Sequence, residues 1–210
     1  RGARAGEHGA GGFARAFGVV MDPGAIDSVE MVRCLAPALV RDDAAAGEFL
    51  ARNGLAGARL LVVHPGSGSR AKTWPGFAAA VAAWRRAAGP DAGIVALRGP
   101  AEERWPQLAG AAVVANAELP VVAGLLARAA AYVGNDSGIS HLAGVLGARG
   151  LALFGPSDPR QWRPLGGGLR VVHRPEPCDA CGDVLCLHRI PVADVVEELA
   201  RLAAASAEVS

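Results

Sequence analysis

Two short glycine-containing stretches hold most of the residues that could do chemistry. The first reads His64-Pro65-Gly66-Ser67-Gly68-Ser69-Arg70-Ala71-Lys72-Thr73-Trp74-Pro75. Its glycines let backbone N–H groups come close to an anion. Ser67 and Ser69 add hydroxyl donors, and Lys72 adds a cation just ahead of an expected helix N-terminus, where the helix dipole also favours negative charge. The stretch suits a phosphate, although it lacks the Gly-x4-Gly-Lys-Ser/Thr spacing of a P-loop. A plain glycine turn between strand and helix is the alternative.

The second stretch reads Val133-Gly134-Asn135-Asp136-Ser137-Gly138-Ile139-Ser140-His141. Here too a strand hands over to a helix. Ser137 or Asp136 can cap that helix, leaving first-turn N–H groups to face a ligand. His141 follows Ser137 by four residues, so both lie on one helix face. A capped helix without a ligand, with His141 as a satisfied core residue, is the simpler reading. A hydrolase triad of Ser137, His141 and Asp136 is disfavoured. Gly134-Asn135-Asp136-Ser137-Gly138 sets the serine one position late for a nucleophile elbow, and triad members usually converge from separate loops.

Three further places merit notice. In Arg98-Gly99-Pro100-Ala101-Glu102-Glu103, a carboxylate could accept ribose hydroxyls, or could simply suit the first turn of a helix. The run Phe154-Gly155-Pro156-Ser157-Asp158-Pro159-Arg160-Gln161-Trp162-Arg163-Pro164 reads as a proline-stiffened loop whose Trp162 covers the sheet end or walls a pocket. Cys178, Cys181 and Cys186, with His188 nearby, have partial zinc-ligand spacing but no second Cys or His pair. Ordinary reduced cysteines are expected there rather than a metal site, for which the three are the candidates. Cys34 is expected in the core.

The elements that would position these loops are legible from periodicity. Helices are expected over 28–39 and 44–55, the latter closed by Asn53-Gly54. From residue 60 onward, short apolar runs alternate with amphipathic segments. Strands are expected at 60–63, 93–97, 112–114, 131–133, 151–154 and 169–172. Helices are expected at 74–88, 101–108, 119–130, 138–146 and 191–202. Pro75 sits in the first turn of the helix over 74–88, and Gly89-Pro90 ends it. Continuous apolar strands imply burial on both faces and hence a parallel sheet covered by helices. The expected fold is therefore α/β, a Rossmann-like doubly wound parallel sheet. In such sheets ligands bind beyond the carboxyl ends of the strands, which selects the loops after Val63, Leu97, Val133 and Phe154.

Bulk properties narrow the function. The 210 residues are 51% hydrophobic and 20% charged, the profile of a globular chain, and the formal net charge is +1. That balance supplies no electrostatic reason to expect nucleic acid as a partner. No run approaches the roughly 20 apolar residues of a membrane span, and Arg1-Gly2-Ala3-Arg4 has neither an initiator Met nor a signal-peptide core. The expectation is a cytoplasmic chain that is a fragment or a processed form.

Taken in order, these motifs resemble the C-terminal domain of glycosyltransferase family 9, the heptosyltransferase-like family. The resemblance rests on His64-Pro65-Gly66-Ser67-Gly68-Ser69 with Lys72 and Trp74-Pro75, and on Gly99 with Glu102. It rests also on Asp136-Ser137-Gly138 with His141, and on Phe154-Gly155 with Asp158-Pro159 and Trp162, and it spans about residues 60–164. It implies the C-terminal half of a GT-B glycosyltransferase, in which two Rossmann-like domains face one another across a cleft. The C-terminal domain would bind a nucleotide-sugar donor, typically ADP-heptose. The sugar would pass with inversion to a glycan or glycolipid acceptor such as the lipopolysaccharide core. Carried over, Ser67, Gly68 and Lys72 contact the donor phosphates, with Ser69 beside them. Glu102 holds the ribose, and Asp136, Ser137, Gly138 and His141 surround the diphosphate and sugar. Lys72 would stabilise charge on the leaving ADP, and no cofactor is implied. The general base belongs in the family to the N-terminal domain.

Residues 1–59 are too few for a second Rossmann domain, which needs on the order of 100 residues. Residues 1–55 are accordingly read as the end of the N-terminal half with linker helices, and residues 56–210 as the donor-binding domain. Peripheral association with the inner membrane is compatible with such a role, and the oligomeric state is left open. Two other readings stand beside this one: a stand-alone nucleotide-binding module acting on another subunit, and a different nucleotide-sugar enzyme such as an epimerase.

Overall fold

The computed structural model describes residues 44–66, 73–99, 108–176, 178 and 186–207. The helix expected over 28–39 with Cys34, the segment Ser67–Lys72, the helix expected over 101–108 as far as residue 107, with Glu102, and Cys181 lie outside the described residues. Strands β1 (Arg59–His64), β2 (Ala92–Arg98), β3 (Ala112–Ala115), β4 (Ala131–Asn135), β5 (Gly150–Phe154) and β6 (Leu169–His173) form one sheet in the order β3-β2-β1-β4-β5-β6. Every adjacent pair is parallel. This is the doubly wound arrangement expected from the alternating apolar runs.

Burial follows position in the sheet. All five residues of β4 and of β5 are buried, as are all of β1 after Arg59. The edge strands differ: Val113 in β3 is 36% exposed, and only Val172 of β6 is fully buried. An edge strand has a neighbour on one side only, so the continuous burial of central strands does not extend to it.

Alternate strand residues feed two helical layers. Leu61, Val63, Ile94, Ala96, Val133 and Leu153 pack with Phe77, Val81 and Trp84 of helix α2 (Phe77–Ala88). Val195 and Leu199 of the last helix join them there. Leu60, Val62, Val95, Leu97 and Tyr132 pack on the opposite face. Their partners are Ala46 and Leu50 of α1 (Ala44–Arg52), Val122 and Leu125 of α3 (Leu119–Ala127), and Leu142 of α4 (Gly138–Val145). Each large side chain so buried contributes roughly 1.5–3 kcal/mol. Trp84 is fully buried and its indole N–H donates to Arg59 O at 3.2 Å, so its one polar atom is satisfied.

Several boundaries differ from the periodicity. Helix α2 starts at Phe77 rather than Trp74, after a turn at Pro75-Gly76. The reason lies elsewhere in the fold: Trp74 donates its amide to the side chain of Asn135. Helix α1 stops at Arg52, where Gly54 takes φ 67° and Asn53 Nδ2 donates to Phe49 O at 2.8 Å. Helix α3 stops at Ala127, short of residue 130. The stretch read as a proline-stiffened loop contains a short helix, α5 (Pro159–Trp162), whose N-cap Asp158 accepts from Arg160 N–H at 2.9 Å. Asp at the cap with Pro next to it is a helix-start signal, and it was legible in the sequence. The final helix, α6 (Val192–Ala207), runs past residue 202 because its sequence continues in strong helix formers.

Candidate active site at the switch point of the sheet

The connection after β1 runs through α2 on one face of the sheet, and the connection after β4 runs into α4 on the other. Strands β1 and β4 are nevertheless neighbours, with His64 in register with Gly134. The strand order therefore reverses between them, and beyond the carboxyl ends at such a switch point is where sheets of this kind form their ligand crevice. The two anion-suited stretches found in the sequence start from the two lips of this crevice. The strand ends of β2 and β5 flank it.

Hydrogen bonds hold the lips together. Ser137 is the N-cap of α4, and its Oγ accepts from Ser140 N–H at 3.4 Å. Of the two capping candidates, the serine is the one in place. The same Oγ lies 3.1 Å from Nδ1 of His64, the last residue of β1. Asn135, the last residue of β4, is fully buried. Its Nδ2 donates to Pro65 O at 2.6 Å, and its Oδ1 accepts from Trp74 N–H at 3.3 Å. Ser140 Oγ donates to Asn135 O at 2.6 Å. Having spent its one proton there, that hydroxyl must accept from Tyr132 OH, 2.9 Å away. Gly134 makes this chain of bonds fit, because a Cβ at that position would stand 2.1 Å from Tyr132 Oη and 3.1 Å from His64 O.

The residues singled out from the sequence take the following places. Asp136 is half-buried, and its N–H donates to Leu153 O at 2.9 Å. Gly138 opens α4 and is exposed, with open space where a Cβ would stand, so the first turn of the helix is approachable from the crevice. First-turn N–H groups have no partner within a helix and suit an anion. His141 is buried in α4, its backbone N–H directed to Ser137 O at 3.3 Å. The imidazole of His64, at the end of β1, also reaches Ser137 Oγ. Ser67, Gly68, Ser69, Lys72 and Glu102 lie outside the described residues, but the ends of the segment bearing Lys72 are described and anchored at Pro65 and Trp74.

Away from the crevice, Trp162 is half-buried on α5. Arg160 beside it pairs with Asp158 at 3.0 Å, and this hydrogen-bonded guanidinium holds the Asp158 carboxyl below its ordinary range. Cys178 is buried and Cys186 half-buried, and both are free thiols. Among the described residues no group of three His, Cys, Asp or Glu side chains is placed to hold a metal ion.

Sequence reasoning assigned no role to His64, Tyr132, Asn135 or Ser140. An amide closing an otherwise apolar strand, as in Val133-Gly134-Asn135, was the available signal, since a buried amide must find partners.

A parallel sheet with a ligand crevice at its switch point defines the class: an α/β protein with the Rossmann-like fold. The chain belongs to glycosyltransferase family 9 (heptosyltransferase), whose model matches residues 36–189. Among solved structures it is similar to ADP-heptose LPS heptosyltransferase II of E. coli, with 23% identity and TM-score 0.59, over 79% of this chain and 53% of that one. It is similar to a family 9 glycosyl transferase of Veillonella parvula, with 21% identity and TM-score 0.64, over 98% of this chain and 62% of that one. E. coli heptosyltransferase WaaC with ADP matches at 23% identity and TM-score 0.56, over 75% of this chain and 48% of that one. At these identities the likeness is one of fold, that of GT-B heptosyltransferases. The chain thus spans between about half and three fifths of the length of these relatives. No curated protein sequence gives a significant match.

Proposed function

We propose that this chain is the C-terminal, donor-binding half of a glycosyltransferase. The sugar it handles is heptose carried on ADP, and the acceptor is a lipopolysaccharide-type or other glycan. The carrying observation is the meeting of two anion-suited strand ends at one switch point in a family 9 chain. One solved relative, heptosyltransferase WaaC, is described with ADP.

In this reading the donor diphosphate lies across the crevice. The open first turn of α4 and the segment Ser67–Lys72 supply N–H and hydroxyl donors on either side. Lys72 neutralises charge as the diphosphate leaves, a role in which fixed donors are more effective than water because they need no reorganisation. Glu102 takes the ribose, and Asp136, Ser137, Gly138 and His141 surround the diphosphate and sugar. Inversion requires a base that takes the proton of the acceptor hydroxyl as the new bond forms on the opposite face. That base is assigned to an N-terminal domain, with residues 1–55 its end and residues 56–210 the donor domain. Among the described residues no helix is long and apolar enough to cross a membrane. We place its work on the cytoplasmic side, with peripheral association at the inner membrane compatible with the role.

The test is ligand-dependent thermal stability. A ligand at about 100 times its Kd stabilises the folded chain by about 2.7 kcal/mol. ADP or ADP-heptose should therefore raise the melting temperature, and Lys72→Ala should reduce the rise. A folded chain unmoved by millimolar ADP and ADP-heptose would overturn the reading.

A further inference from the structure

We infer that Asn135 is a positioning residue for the donor-phosphate segment, tying both ends of the β1–α2 connection to the strand that leads into α4. The inference rests on the proposed donor site. Its geometry stands independently of that site. One carboxamide spans the connection: Nδ2 holds Pro65 O at 2.6 Å, and Oδ1 holds Trp74 N–H at 3.3 Å. The orientation of this amide is fixed by its partners, because a carbonyl can only accept and a peptide N–H can only donate. A flip would therefore break both bonds.

Asn135 and Trp74 are themselves held in place. Asn135 is fully buried, and its own carbonyl is held by Ser140 Oγ at 2.6 Å. Trp74 is 1% exposed, its indole N–H donates to Ile190 O at 3.0 Å, and its ring meets Phe77 edge-on at 5.2 Å. Pro65 and Trp74, the described residues that bracket the Lys72 stretch, are therefore both bonded to one side chain. That side chain is two residues from the N-cap of α4, so the two sides of the crevice share a common reference. Aspartate would keep the acceptor for Trp74 N–H and set a second carboxylate oxygen against Pro65 O. Alanine would remove both bonds.

The test compares Asn135→Ala and Asn135→Asp with Leu199→Ala, a buried residue of α6 remote from the crevice. The readouts are ADP affinity by calorimetry and amide hydrogen exchange at Trp74. Asn135→Ala should weaken ADP binding by about tenfold or more, the scale of one lost buried bond, and should speed exchange of the Trp74 amide. Leu199→Ala, of comparable or greater loss in melting temperature, should leave both unchanged. Asn135→Asp should weaken ADP while the Trp74 amide stays protected, and it serves if the alanine variant does not fold. Wild-type ADP affinity in both Asn135 variants, or losses tracking melting temperature alike in Leu199→Ala, would overturn the inference. If wild type binds no ADP, the donor reading fails and exchange decides: faster Trp74 exchange in Asn135→Ala alone supports the clip, and unchanged exchange overturns it.

Discussion

His64 and Ser137 are 73 positions apart in the sequence, yet Nδ1 of the first lies 3.1 Å from Oγ of the second. The contact joins the end of β1 to the start of α4 across the point where the strand order reverses. Ser137 Oγ also takes Ser140 N–H, so a single oxygen caps the helix and meets the neighbouring strand. A ligand in the crevice meets a helix N-terminus whose position is set by both.

Ser137→Ala removes the cap and leaves His64 without this partner. Loss of a serine cap costs about 1 kcal/mol. Urea denaturation should show a loss of that size, and ADP titration should show weaker binding. Ser137→Thr keeps a hydroxyl and should retain most of both. A variant as stable as wild type would show that the cap is of no consequence.

Arg59 closes the far side of the molecule. Its guanidinium donates to Ala88 O at the end of α2 and to Ala203 O of α6, the latter at 3.3 Å, and it lies 3.9 Å from Asp91, which is 69% exposed. Hydrogen bonds from a charged donor to helix carbonyls are worth roughly 1.5–3 kcal/mol, and an exposed ion pair at most about 1. Arg59→Ala should therefore lower stability by roughly 1.5–3 kcal/mol, while Asp91→Asn should change it by less than about 1. Equal effects of the two in denaturant titrations would contradict the assignment to the carbonyls.

Asp158 supplies a pH signature. Hydrogen bonds from the Arg160 side chain and backbone lower its pKa in the folded chain. A carboxyl with a depressed folded pKa contributes stability above its unfolded value, about 3.9, and loses it as pH falls through the folded value. Wild type should therefore exceed Asp158→Asn in stability at neutral pH, with the gap closing only as pH falls below about 3.9. The residue is exposed, so the gap is small and is best read as faster amide exchange at Arg160 in the variant. A gap that widened toward acid pH would contradict the sign.

Much of this architecture is local in origin. Leu60-Leu61-Val62-Val63 and Gly150-Leu151-Ala152-Leu153-Phe154 are apolar at every or nearly every position, so they suit strands buried on both faces, and they occupy interior places in the sheet. Asp158-Pro159 likewise carries its helix start in its own chemistry, although the prolines obscured it. Trp74 shows the opposite case. Pattern alone places it inside a helix, whereas its amide is engaged by a side chain 61 positions away.

The sequence by itself determined the kinds of element, their alternation and the two stretches fit for an anion, because periodicity, caps and glycines act over a few residues. Only the tertiary structure decided that β1 and β4 are neighbours, and that His64 reaches Ser137. It alone made Asn135 the clasp of the first stretch. Those outcomes depend on which face each crossover takes, and so on packing between segments that are distant along the chain.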